Sequence, residues 1–318
     1  MMKYAYYPGC SLHSTASDYQ QSIDAVFQKL NIELREVEDW TCCGASAAHV
    51  MDELLPLVLP AKDLLKVQGL DLEVMAPCAA CYNRMRTAAH KLHENPALRR
   101  KVNQVLRGDY QGRVQVRHIS DVVVNAYGLE EIAKKLVKDL KGMKVVCYYG
   151  CLSARPQKIV AFDDPVYPSY LDRLVKTLGG EPLEWPFKTE CCGGSFSVSK
   201  KDVVLKLTND LLAMAKDLGA EAVVVDCPLC QFNLDFRQEE VEKHYGSRFG
   251  LPVFYFTQLL GICLDLPAGA LGLKKLNVNP FPLLERQKAK TDKAFTAERA
   301  ENAEEKANIT GNDRNKSA

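Results

Sequence analysis

Short apolar runs and longer stretches of helical period alternate along most of the chain. KYAYYP near the start and KVVCYYG near the middle are compact apolar and aromatic segments that predict strands. LEVMAPC and EAVVVDC are two more, each running directly into a cysteine. Between them, SDYQQSIDAVFQKL places Ile23, Val26, Phe27 and Leu30 on one stripe behind Ser17 and Asp18 as capping candidates. SKKDVVLKLTNDLLAMAKDLG predicts a second helix, closed by Gly219. Strands alternating with helices predict an α/β fold with mainly parallel sheets, whose ligands gather beyond the carboxyl ends of the strands.

The pattern changes after about residue 283. The segment from Glu285 onward is rich in Ala, Glu and Lys, with Phe295 its one aromatic residue. Too little apolar surface is available there to offset ordering entropy, so residues 283–318 read as a disordered C-terminal tail.

Length and charge then exclude several classes. A chain of 318 residues is long enough for two domains with buried cores. Its formal net charge of +1 provides no global field for nucleic acid or an anionic membrane. The opening MMKYAYYPGC lacks the apolar core of a secretory signal, and no apolar run reaches the roughly 18 residues of a membrane span. The chain therefore reads as cytoplasmic and without direct membrane insertion. Thiols stay reduced in that compartment, so its twelve cysteines point to metal or redox chemistry before disulfides.

Their spacing carries the strongest signal. Cys42, Cys43, Cys78 and Cys81 recur 149 residues later as Cys191, Cys192, Cys227 and Cys230, while Cys10 recurs 141 residues later as Cys151. Local context repeats with them: YYPGC with YYGC, CCGAS with CCGGS, PCAAC with CPLC. The chain is a duplication, with a first module at 1–141 and a second at 142–282. Cys147 and Cys263 fall outside the repeat and read as buried apolar residues.

Five cysteines per module exceed the four that a structural zinc or a cubane [4Fe–4S] cluster takes. Adjacent cysteines leave the backbone in different directions, so a CC pair suits a larger or opened cluster, or a site with one thiol left to react. Zinc in the first module fits as well, since four of its five cysteines would suffice. No G-x-G-x-x-G dinucleotide fingerprint is present: CCGGS and LGGEP have the wrong spacing. His13, His49 and His118, with Arg84, Arg155, Lys188 and Lys200, lie at positions from which they could approach a cluster or an anionic substrate. Asp163 and Asp164 in FDDP read as turn chemistry.

At these residues the chain resembles the CCG-domain, cysteine-rich iron–sulfur proteins, and among them the B subunit of heterodisulfide reductase. The resemblance runs over roughly residues 3–278 and is densest from YYGCLSARPQKIV to KTECCGGS. It implies two Rossmann-like modules related by a pseudo-two-fold axis. It also implies a non-cubane [4Fe–4S] cluster on Cys10, Cys42, Cys43, Cys78 and Cys81, and another on Cys151, Cys191, Cys192, Cys227 and Cys230. The implied activity is an oxidoreductase acting on a sulfur group, the reduction of a small-molecule disulfide of the CoM-S-S-CoB type or a bacterial counterpart. Electrons would come through a ferredoxin-like C subunit with cubane [4Fe–4S] clusters and a flavin-containing A subunit. Paired CCG modules also resemble electron-transfer subunits of glycolate, lactate, glycerol-3-phosphate and thiol-linked fumarate oxidoreductases. Those often carry CxxCxxCxxxCP runs, which this sequence lacks.

Overall fold

The computed structural model describes residues 1–45 and 48–289. Two sheets organise the described residues. The first contains β1 (Met2–Tyr6), β2 (Ile32–Glu36), β3 (Val74–Ala76) and β4 (Val116–His118) in the order β2-β1-β3-β4. The second contains β5 (Lys144–Tyr148), β6 (Glu181–Pro182), β7 (Ala222–Val225) and β8 (Val253–Tyr255) in the equivalent order β6-β5-β7-β8. Every pairing is parallel. The expected α/β duplication is present in full.

This order positions the site. In each sheet the strand leading to the first cysteine lies beside the strand leading to the CxxC pair, with Tyr6 opposite Met75 and Tyr148 opposite Val225. Parallel neighbours deliver their following loops to one edge, so those cysteines emerge together. The helices cover the sheets as the periodicity predicts. Ser17–Leu30 buries Ile23, Val26, Phe27 and Leu30. Its N-cap is Ala16, and neither Ser17 nor Asp18 caps with its side chain; the helix starts one residue earlier than a Ser cap would set it. Lys201–Asp217 ends just before Gly219, whose φ of +78° suits a residue without Cβ.

The modules meet along a buried seam. Tyr19 and Tyr255 stack with ring centroids 3.8 Å apart and planes 3° from parallel. Ser22 Oγ lies 2.7 Å from Thr257 Oγ1. Tyr82 Oη donates to the Val160 carbonyl at 2.6 Å, and Asn83 Nδ2 donates to the carbonyls of Leu152 and Arg155 at 2.8 and 2.6 Å. Cys78 and Cys227 are equivalent positions of the repeat, and across the seam Cys227 raises the Cys78 thiol while Cys78 helps lower that of Cys227. Equivalent residues meet in this way where two copies pack about a two-fold relation.

Two features lie close to the expected boundaries. The backbone N–H groups of Val137 and Lys138, assigned to the first module, donate to the Cys263 carbonyl of the second. Residues 281–289 are helical with Leu283 and Gln287 buried, so order continues past the expected tail start at 283. Leu283 supplies an apolar anchor that the composition of the segment as a whole obscured. Residues 290–318, the remainder of the expected tail, lie outside the described residues.

Cys147, inside β5, and Cys263, closing the helix Phe256–Cys263, are both fully buried. Replacing either with alanine should lower stability by about 1–2 kcal/mol through lost packing. Denaturant melts paired with metal analysis check this; a lost metal complement in either variant would contradict the assignment to the core.

Candidate metal centre

Each module builds its cysteine site by the same local devices. The two residues of a CC pair point opposite ways: Cys42 and Cys191 are exposed, Cys43 and Cys192 buried. Gly44 and Gly193 follow with φ of +74° and +77°, a left-handed turn that folds the backbone back toward the first thiol. Their N–H groups lie 3.5 and 3.3 Å from the Sγ atoms of Cys42 and Cys191. The double thiol thus supplies one inward and one outward sulfur from a single turn.

The opening cysteines need glycine for a different reason. A Cβ on Gly9 would sit 2.9 Å from Cys81 Sγ, and one on Gly150 would sit 3.0 Å from Cys230 Sγ. Both distances lie inside van der Waals contact, so any other residue would push its partner thiol aside. Cys78 and Cys227 each occupy the extended N-cap position of a helix. Cys81 and Cys230 therefore fall in the first turn, where free N–H groups favour negative charge.

A tyrosine holds each CC turn. Tyr7 Oη donates to the Thr41 carbonyl and Tyr148 Oη to the Glu190 carbonyl, both at 2.6 Å. The first turn is also held by Asp63, whose Oδ1 accepts from the Thr41 N–H at 2.9 Å. The second is held by Asn233, which donates to the Cys192 carbonyl at 2.8 Å. Sequence reasoning did not single out Tyr7 and Tyr148, although they recur at the same 141-residue offset as Cys10 and Cys151. Asp63 and Asn233 have no such signal.

The thiols gather as two groups. Cys43 and Cys81 Sγ are 3.3 Å apart, and Cys192 and Cys230 Sγ are 3.6 Å apart. Cys151, Cys191, Cys192, Cys227 and Cys230 line one small cavity of about 50 Å³, together with Tyr148, Leu229 and Ala79 of the first module. Among the described residues, no three Cys, His, Asp or Glu side chains are set to hold a single metal ion. Shared hydrogens polarise the groups. The Cys42 thiol beside it, and then Cys81, hold Cys43 below the ordinary thiol range. Cys227 is lowered by Cys230 and then Cys78, while Cys78 is raised by Cys227. The Cys151 thiol draws Cys191 down to about 6, and burial opposes this. Soft thiolates with nearby thiols suit iron or zinc, and five of them around one cavity suit a polynuclear group better than one ion.

The other polar candidates divide. Lys188 is buried and committed: its Nζ lies 3.0 Å from Asp172 Oδ2 and 4.3 Å from the Tyr167 ring centre. His13 is exposed beside Glu36 and Trp40, and His49 is exposed near Arg84. Arg155 and Lys200 are exposed. His118 is fully buried at the seam. Asp163 and Asp164 accept backbone N–H groups from Ser169, Val166 and Tyr167, which is turn chemistry.

The cysteine-rich domain CCG matches at residues 4–86 and 145–235, once per module. The membrane anchor subunit of 8-methylmenaquinol:fumarate reductase from Wolinella succinogenes is 34% identical over 274 residues, covering 85% of this chain and 95% of that protein. A protein of Archaeoglobus profundus, named as like the B subunit of heterodisulfide reductase, is 27% identical, covering 83% and 91%. The B subunit of a ferredoxin/F420H2-dependent CoB-CoM heterodisulfide reductase from Methanosarcina acetivorans is 24% identical, covering 86% and 93%. Among the described residues, no helix is long and apolar enough to cross a membrane.

In reduced, metal-free protein the lowered Cys191 should remain a thiolate above about pH 6. Its alkylation by iodoacetamide should therefore rise through a midpoint near that pH, where an ordinary thiol rises near about 8.5. Peptide mass mapping reads this, and Cys151→Ala should move the midpoint upward. A midpoint near that of an ordinary thiol in the parent protein would refute the shared-hydrogen account.

Proposed function

The chain belongs to the CCG family of cysteine-rich domain proteins, and from that premise we propose that it is the catalytic iron–sulfur subunit of a disulfide-reducing complex. Its relatives are named as subunits of reductases, which supports an oxidoreductase subunit. What supports the finer reading is that Ala79, next to Cys78 of the first module, walls the cavity lined by Cys151, Cys191, Cys192, Cys227 and Cys230 of the second. Disulfide cleavage releases two thiolates and takes two electrons. Two sites facing one substrate match that stoichiometry.

Cys10, Cys42, Cys43, Cys78 and Cys81 would hold one non-cubane [4Fe–4S] cluster, and Cys151, Cys191, Cys192, Cys227 and Cys230 the other. Bound clusters would supply single electrons and Lewis-acidic iron that stabilises a released thiolate. The chain's own part is to bind and shield. The buried Cys43, Cys81, Cys192 and Cys230 exclude water on the inner side, while the exposed Cys42 and Cys191 leave the outer side open to a substrate. Electrons would enter from partner proteins, a ferredoxin-like C subunit with cubane clusters and a flavin-containing A subunit. The substrate would be a heterodisulfide of the CoM-S-S-CoB type or a bacterial counterpart, and the compartment the cytoplasm.

A second reading has its own support in the 34% identical relative, named as part of a fumarate reductase. On that reading the chain passes electrons and cleaves nothing.

Anaerobically prepared protein should contain about eight irons with matching sulfide, four per cluster. Four irons and one zinc would reject the two-cluster version. With a reduced viologen donor and a heterodisulfide, Cys43→Ser and Cys192→Ser should each bring turnover close to zero, with the untouched cluster still visible by EPR. Half the parental rate in both variants would mean independent sites. No turnover by the parent at full iron load would favour the electron-transfer reading.

A further inference from the structure

The two CxxC pairs sit in equivalent places, yet the residue before each differs. Pro77 precedes Cys78, and Asp226 precedes Cys227. Proline fixes its own φ and so stiffens the entry to the first pair without outside help. An aspartate does not, and Asp226 is held instead by side chains around it. It is fully buried at the end of β7. Its Oδ2 accepts from Ser120 Oγ at 2.9 Å and from Tyr170 Oη at 2.7 Å, with His118 Nδ1 3.6 Å away. Its backbone carbonyl accepts from Tyr19 Oη at 3.3 Å. Of these four groups, only Tyr170 belongs to the second module.

The first-module partners are themselves fixed. His118 is the N-cap of the short helix Ile119–Asp121, where its Nδ1 lies 3.4 Å from the Ser120 N–H. Its ring stacks on Phe162 of the second module at 5.9 Å and meets Tyr82 edge-on at 5.3 Å. Tyr19 is clamped by its stack on Tyr255. A buried carboxylate needs such donors, since leaving it unsatisfied costs more than the hydrogen bonds contribute.

We propose that Tyr19 and Ser120 of the first module are positioning residues for Cys227 and Cys230 of the second, acting through Asp226, with His118 holding Ser120 in place by accepting its backbone N–H. The second cysteine set is then completed only when the modules dock, whereas the residue before the first CxxC pair, Pro77, has no side-chain donor or acceptor through which the other module could hold it. This dependence on docking rests on the reading that the second set holds a cluster only for its consequence in the loaded protein, because the alignment itself is a property of the thiols.

The test uses the full chain in two states. In reduced, metal-free protein, Ser120→Ala combined with Tyr19→Phe should speed alkylation of Cys227 and Cys230 about tenfold by allowing local opening, with Cys43 and Cys81 unchanged as the internal reference. Ser120→Thr, which keeps the hydroxyl, should restore the parental rates, a rescue that general weakening of the seam would not produce. Tyr19→Phe alone serves if the double variant does not fold, with a smaller effect on the same two thiols. After reconstitution, the EPR signal that survives in Cys43→Ser should shift or broaden when Ser120→Ala is added. Equal acceleration of all four thiols, or of none, would overturn the proposal. A protein that takes up no iron yet keeps the selective acceleration would reject the cluster reading and leave the positioning role standing.

Discussion

Six of the ten repeat cysteines are buried, and a buried sulfur that is to carry thiolate charge is tolerable only where neighbouring donors share that charge, a demand that the neutral core thiols Cys147 and Cys263 do not make. That constraint organises the molecule. It explains why buried thiols come in touching pairs, Cys43 with Cys81 and Cys192 with Cys230, and why helix-start N–H groups face Cys78 and Cys227, while the glycine turns serve the exposed Cys42 and Cys191. Parallel strands provide the place, since neighbouring strands release their loops at one edge. Gly9 and Gly150 provide the clearance, because a side chain there would collide with a thiol.

Duplication lets one solution be used twice, and the seam then differentiates the copies. At its centre Cys78 and Cys227 meet as equivalents. Around them the contacts lose symmetry. First-module side chains Tyr82 and Asn83 grip the backbone after Cys151, and Tyr19 and Ser120 grip Asp226. Ala79 of the first module also walls the second cavity. The second centre is therefore built partly from the first module.

The polar residues near the cysteines illustrate the same economy of position. Lys188 reads in the sequence as a cation available to an anionic substrate. In the fold it sits shortly before Cys191 but faces inward, neutralised by Asp172 and covered by Tyr167, while its carbonyl accepts the N–H groups of Tyr149 and Gly150 beside the opening cysteine. Its role is to brace the loops. His118 likewise proves to be a seam residue.

The sequence by itself determined the duplication, the α/β alternation, the ten cysteines and the two that stand apart. Each of these is local: strand and helix periods follow from side-chain direction along one segment, and the repeat offsets are distances along the chain. Tertiary structure alone decided which member of a CC pair faces inward, because that depends on the turn at Gly44 or Gly193 relative to the sheet edge. It also decided that Leu283 is buried and that Asp226 takes its hydrogen bonds from Tyr19 and Ser120. Those partners lie 207 and 106 residues from it in sequence, and no periodicity links them. Only packing the two modules against each other brings such groups within hydrogen-bonding range.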